Sequence, residues 1–226
     1  MLAAILFDLD GTIVNTDPIH YQAWQKMLLR YDIEMDDKFY KSRISGRINP
    51  EIVKDILPHL SVAESEQLAE EKEVLFRELA SHLQPMSGLT QLLGWTETHQ
   101  LKRALVTNAP RLNAEFMLKV LGINQAFHTI VLADDCQAGK PDPEPYQVAL
   151  QNLGITAQQA IALEDSPSGI RAAVGAGIPT IGITSTHEPQ VLQQFGTLMA
   201  IPDFTDLQLW KLLNSLLDKD LSVIKS

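Results

Sequence analysis

The chain carries a single cysteine, Cys136, in 226 residues. One thiol builds neither a disulfide framework nor a cysteine-ligated zinc site. Basic residues are also scarce: 18 Lys and Arg stand against 28 Asp and Glu, a formal net charge of −10. With no basic cluster to neutralise backbone phosphates, a nucleic-acid partner is not expected. A small anionic substrate remains compatible, because a local cation or a metal outweighs the overall field. No apolar run approaches the ~20 residues of a membrane span, so no membrane partner is expected. Met1 and Leu2 run at once into an apolar strand, which leaves no space for a leader peptide. The expectation is a cytoplasmic enzyme, monomeric with a dimer left open, long enough to bury one large or two small cores.

What the chain does have begins at Asp8-Leu9-Asp10-Gly11-Thr12, directly behind Ala3-Ala4-Ile5-Leu6-Phe7. A short continuous apolar stretch reads as a parallel strand buried on both faces. Two carboxylates at its C-terminal end are costly unless something compensates their charge. Gly11 lets the backbone turn away from the sheet. An Asx-type turn explains one Asp and the Gly, but not the first Asp, which still lies on the strand. Three later segments have the same character. Thr107-Asn108 ends an apolar strand, Lys140-Pro141 sits in a loop before a helix, and Glu164-Asp165 ends another strand. Singly these are a common turn, a solvated Lys and a helix cap. At the carboxyl ends of strands in one sheet they converge on the edge where ligands bind. Four acids, one cation and neutral donors there suit Mg²⁺ and a phosphoryl group.

Strands are expected at residues 4–7, 103–106, 129–132, 160–163 and 179–183, with a weaker one at 198–201. Helical patterns fill the gaps after about residue 88, which is the βαβ rhythm of an α/β, doubly wound, Rossmann-like parallel sheet. Between the first two strands lies far more chain than the dozen or so residues a right-handed crossover needs. That stretch reads as helices at 18–30, 36–42, 50–57 and 63–83, with no convincing strand. The division expected is a core domain of residues 1–15 and 85–226 and an inserted all-helical domain of 16–84. The acidic run 64–78 reads as a solvated helix face.

The four segments, in this order, resemble the sequence motifs of the haloacid dehalogenase superfamily of aspartate-nucleophile phosphohydrolases, over nearly the whole chain. Asp17-Pro18-Ile19-His20-Tyr21-Gln22-Ala23-Trp24 and the helices behind it look like the β-phosphoglucomutase-like, sugar-phosphate phosphatase branch. The resemblance implies a helical cap that closes over the active site, and a small phosphorylated metabolite as substrate. It implies Asp8 as nucleophile, forming an aspartyl-phosphate, and Asp10 as general acid and base. Mg²⁺ would be held by Asp8, the Asp10 carbonyl and Asp165, with Glu164 ligating or orienting a metal water. Lys140 would neutralise charge at the nucleophile. Thr107, Asn108 and the N–H groups of Leu9 and Asp10 would hold phosphoryl oxygens. In the helical segment, His20, Gly46 and Arg47 are candidate substrate contacts; His20 reads more readily as helix packing, Arg47 equally as a surface residue, and Trp24 as core of that segment.

Other chemistries use similar parts. A non-enzymatic phospho-receiver module has an Asp, an acid pair, a Thr and a Lys, but with the acid pair on its first strand and no helical insert. A carbon–halogen hydrolase has no purpose for Asp10, since halide needs no protonation. The rival of substance is a phosphosugar mutase. Against it, the first motif ends in Thr12 where the mutase carries a β-branched apolar residue. The mutase also places a phosphate-binding Arg three residues after the cap Gly, a position filled here by Asn49. A phosphatase is therefore expected, with a β-phosphoglucomutase-type mutase as the alternative.

Overall fold

The computed structural model describes residues 1–45 and 47–217. Six strands, β1 (Ala4–Phe7), β2 (Lys102–Thr107), β3 (Thr129–Leu132), β4 (Ala160–Glu164), β5 (Thr180–Ile183) and β6 (Met199–Ile201), form one sheet in the order β3-β2-β1-β4-β5-β6. Every pairing is parallel. This is the doubly wound Rossmann-like order, whose direction of winding reverses beside β1. The expected strands at 103–106 and 160–163 each run one residue further, because Thr107 pairs with Leu132 and Glu164 with Gly182. Those ladder bonds hold a hydroxyl and an acid on the strands themselves.

The strands are apolar throughout because both faces are covered. On one face Ala4, Leu6, Ala104, Val106 and Ala162 pack with Tyr146, Ala149, Leu153 and Ala172. On the other, Phe7 meets Phe127 and Phe204 edge-on. The covering helices of this unit are α5 (Leu89–Thr98), α6 (Arg111–Val120), α7 (Glu144–Leu153), α8 (Pro167–Gly175), α9 (Pro189–Gln193) and α10 (Leu207–Leu216). Their ends follow local chemistry. Ser166 accepts from the Gly169 N–H at 3.1 Å with Pro167 opening α8, and Gly154 closes α7 in the left-handed conformation.

The chain divides into two compact units, Met1–Asn15 with Gln84–Ser226, and Thr16–Leu83. The second is all helical among its described residues: α1 (Asp17–Leu29), α2 (Asp37–Arg43), α3 (Asn49–Ile56) and α4 (Val62–Leu79). Trp24, Met27, Leu28, Tyr40, Ile52, Val53 and Leu68 make its core. A reciprocal Ser61–Glu64 capping box starts α4. The helix stops at Leu79, with Ala80 as its C-cap, rather than at residue 83. No helix among the described residues is long and apolar enough to cross a membrane.

Candidate active site

Parallel pairing sets the site. Phe7 lies level with Leu105 on β2 and with Leu163 on β4, so the next residues outward, Asp8, Val106 and Glu164, emerge side by side. The Asp8 N–H still bonds the Leu163 carbonyl at 3.0 Å, which fixes the nucleophile candidate as the last sheet-bound residue of its segment. The chain then turns tightly: the N–H groups of Thr12, Ile13 and Val14 all point at the Leu9 carbonyl, and Gly11 takes φ +76. A Cβ on Gly11 would lie 2.1 Å from Asp165 Oδ2. Glycine is required there twice over, for its dihedral and for the close approach of Asp165.

Lys140 joins the two acid motifs. Its Nζ donates to Asp8 Oδ1 at 2.7 Å, to Glu164 Oε1 at 2.5 Å and to the Val106 carbonyl at 2.7 Å. Three donors meet three acceptors, all buried. Burial alone would push this ammonium down; Asp8 and Glu164 more than reverse that and hold it above its usual range. The carboxylates also go up. Burial raises Asp8 despite Lys140, and Glu164 is pushed up to about 7 by burial, with the neighbouring Asp8 adding to it. Asp165 rises well above the carboxylate range through burial and the charge of Asp8. Three buried acids sharing one cation are under-neutralised.

That deficit is the test for a metal. Asp8, Glu164 and Asp165 each offer a carboxylate oxygen within 4.8 Å of the others. Glu164 Oε2 is buried with no hydrogen-bond partner. An oxygen-only donor set with excess negative charge fits a hard divalent cation. Glu164 Oε1, however, is already shared by Lys140 and the Tyr146 hydroxyl, both at 2.5 Å. Its side chain anchors Lys140 first. The Asp10 carboxylate lies outside the cluster; the atom expected to face a cation is its backbone carbonyl.

The neutral candidates are at hand. Thr107 is buried, and its Oγ1 accepts from the Ala109 N–H at 3.0 Å. The Asn108 amide is largely engaged: Oδ1 accepts from the Lys140 N–H at 3.0 Å and Nδ2 donates to the Lys140 carbonyl at 2.9 Å. It pins the backbone of the Lys140 loop, a role its turn-like sequence context did not announce.

In the helical unit the expected contacts have other occupations. Gly46 lies outside the described residues. Arg47 bonds Asp55 at 2.9 Å and the Arg43 carbonyl at 2.8 Å. Hydrogen bonds from Arg43 and Arg47 hold the Asp55 carboxyl down at about 2. The His20 ring stacks on Phe76, with centroids 4.3 Å apart, and its Nδ1 lies 2.8 Å from Lys72 Nζ. The acidic run 64–78 is not wholly solvated: Lys72 and Glu73 are buried and paired at 2.9 Å. Helical periodicity puts Lys72 in line with Leu68 and Phe76, so it turns inward with them. Asn49 donates to Glu73 at 2.5 Å. Burial acts to raise the Glu73 carboxyl, but Lys72, His20 and Asn49 outweigh it and leave it lowered.

The residues missed by sequence reasoning are second partners. Tyr146 is spaced from Lys140 like any helix-core aromatic, yet its hydroxyl reaches Glu164. Gly169 sits in the first turn of α8, where a Cβ would lie 1.8 Å from Glu164 Oε2. Gly169→Ala sets two effects against each other. Helix propensity favours Ala by about 1 kcal/mol, while forcing a methyl into a packed site costs about 1–3 kcal/mol. Glu164 is held by Lys140 and Tyr146 and cannot swing aside, so the clash wins. The variant is expected to unfold at lower urea than wild type; an unchanged or higher midpoint would refute that ranking.

Residues 5–183 match the family described as haloacid dehalogenase-like hydrolase. Among curated relatives, the validoxylamine A 7'-phosphate phosphatase of Streptomyces hygroscopicus subsp. limoneus is 32% identical over 210 residues, covering 92% of this chain and 97% of its own. A phosphorylated carbohydrates phosphatase of Thermotoga maritima is 30% identical, covering 88% and 94%. The crystal structure of a β-phosphoglucomutase from Clostridium difficile superposes with a TM-score of 0.80 at 27% identity, over 95% of this chain and 96% of that one. With the motif residues gathered at the strand ends and the match spanning most of the sequence, the chain belongs to the haloacid dehalogenase-like hydrolases.

Proposed function

We propose that this hydrolase is a Mg²⁺-dependent phosphomonoesterase acting on small phosphorylated metabolites, sugar phosphates first among them. The observation that carries the reading is Lys140 bonded to both Asp8 and Glu164 beside Asp165. Asp8 is the nucleophile: its carboxylate attacks phosphorus, the ester oxygen leaves, and an aspartyl-phosphate remains. Asp10, one residue on and partly exposed, gives its proton to the leaving oxygen and then takes one from the water that hydrolyses the intermediate. Lys140 keeps Asp8 ionised and oriented. Thr107 and the Leu9 and Asp10 N–H groups hold phosphoryl oxygens, while Asn108 keeps the Lys140 loop in place. Asp8, Asp165 and the Asp10 carbonyl would hold Mg²⁺, which supplies charge stabilisation to the transferring phosphoryl group. The relatives named as phosphatases of carbohydrate-like phosphates support the substrate class.

The second reading is a β-phosphoglucomutase-type mutase, favoured by the likeness to the Clostridium difficile structure. The two share the aspartyl-phosphate and differ in what attacks it, water or a sugar hydroxyl. The side chains at the relevant helical positions favour water: Arg47 is tied to Asp55, and Asn49, in place of an Arg, is tied to Glu73. One assay separates them. The protein is incubated with Mg²⁺, β-glucose 1-phosphate and a trace of β-glucose 1,6-bisphosphate, alongside a phosphate-release screen of metabolite esters. Inorganic phosphate from these esters, abolished by chelator, with little glucose 6-phosphate, is the expected outcome. Rapid glucose 6-phosphate with negligible phosphate release would establish the mutase, and full phosphatase activity in excess chelator would remove the metal.

A further inference from the structure

The segment after β5 makes contacts that the proposed chemistry does not use. The Ser185 hydroxyl donates to the Gly11 carbonyl at 2.5 Å. Thr186 Oγ1 lies 2.5 Å from Asp165 Oδ2, 3.1 Å from the Asp165 carbonyl and 2.9 Å from His187 Nδ1. A threonine hydroxyl has one proton. With Asp165 ionised, as a metal ligand must be, the carboxylate and the carbonyl only accept, so that proton goes to Asp165. His187 Nδ1 must then carry its own hydrogen and donate it to Thr186. The order is His187 Nδ1–H to Thr186 Oγ1–H to Asp165 Oδ2. His187 lies one residue before Glu188, the N-cap of α9.

We propose that Thr186 is a positioning residue for Asp165, with Ser185 bracing the Gly11 turn against which that carboxylate packs. The inference rests on the metal reading above. Asp165 is buried, and one of its oxygens passes close over Gly11, where a Cβ would lie 2.1 Å away. A carboxylate in that slot has its Oδ2 held by a hydroxyl and packed against the backbone of the turn, while the group offers an oxygen within 4.8 Å of those of Asp8 and Glu164. A rotamer set in advance removes the ordering cost of binding, and losing such outer partners costs about 10–100-fold in metal affinity. Ser185 and Thr186 thus tie the first motif and the acid pair of β4 into one rigid ligand set, although they are remote from both in sequence.

The test is the dependence of melting temperature on Mg²⁺ concentration in phosphate-free buffer, which yields an apparent dissociation constant without turnover. Thr186→Val removes the hydroxyl at equal volume, Thr186→Ala removes it with no risk of a clash, and Thr186→Ser restores it. Both hydroxyl-less variants should bind Mg²⁺ about tenfold more weakly or worse. Their metal-free melting should change little, and the serine variant should stay within about twofold of wild type. Activity at saturating Mg²⁺ should recover most of its loss in the valine and alanine variants. Mg²⁺ affinity within twofold of wild type in either folded hydroxyl-less variant overturns the positioning role. Wild-type protein that shows no Mg²⁺-dependent shift at all overturns the metal reading itself, and this inference with it.

Discussion

An Asp8→Asn variant is expected to lose at least about 10⁴-fold in turnover while melting no lower than wild type in metal-free buffer. The two halves have different causes. An amide is a very poor nucleophile, so no aspartyl-phosphate forms even though Asn is nearly isosteric with Asp. Stability moves the other way because Asp8 is strained electrostatically. Burial, with the charge of Asp10 adding to it, raises its carboxyl despite Lys140, which means that the ionised form is held at a cost. The Asn Oδ1 can still accept from Lys140, which keeps Glu164 and the Val106 carbonyl as partners. Removing one of three clustered negative charges therefore relieves repulsion without orphaning the cation. The Mg²⁺-dependent rise in melting temperature should shrink in the same variant, since a ligand has been weakened. Phosphate release and thermal melting with and without Mg²⁺ read all three effects; near-wild-type turnover would end the covalent mechanism.

The sheet was readable because a parallel strand buried on both faces leaves an uninterrupted apolar word in the sequence. Residues 4–7 and 129–132 were expected with the limits found; β2 and β4 run further because ladder pairing outlasted the apolar run, while β5 and β6 each begin one residue later than expected. The gathering of Asp8, Lys140, Glu164 and Asp165 was readable for a topological reason: strand ends of one parallel sheet share an edge, so residues 132 apart in sequence, such as Asp8 and Lys140, meet. What lay beyond the sequence was the choice of partners. Asn108 looked like a phosphate ligand and spends both sides of its amide on the Lys140 backbone. Tyr146 and Thr186 carry no local mark, because a core tyrosine and a loop threonine become site residues only when packing brings Glu164 and Asp165 to them. Glu73 sat in what reads as a solvated acidic face. A stripe defined by Leu68 and Phe76 turned its neighbour Lys72 inward, and Glu73 followed as the counter-charge.

Replacing Lys140 with methionine is expected to be the most damaging change to stability. Methionine keeps the length and apolar volume of the side chain but removes the ammonium bonded to both Asp8 and Glu164. Breaking a buried ion pair from one side costs about 3–5 kcal/mol, because the surviving charge has neither partner nor water. Here two acids, Asp8 and Glu164, lose their cation together, while Glu164 keeps the hydrogen bond donated by the Tyr146 hydroxyl. The variant can escape only by taking up protons, which gives the defect a pH signature. Glu164 already titrates at about 7 in the folded protein, above an unfolded value near 4.5. A carboxyl raised in this sense contributes stability that is complete below its unfolded pKa and is lost as pH rises through the folded one. Without Lys140 the lowering influence on Asp8 and Glu164 disappears, so their folded values climb further. The deficit relative to wild type should therefore be small near pH 5 and grow towards pH 8. Saturating Mg²⁺ should recover part of it, since a divalent cation in the same cluster replaces the missing charge. Turnover should fall by about 10³-fold even when the fold is held by metal, because Asp8 loses the group that keeps it ionised and aimed. Melting curves across that pH range, with and without Mg²⁺, decide the matter: a deficit that is flat with pH, or none at all, would mean that Lys140 is not what neutralises the acid cluster.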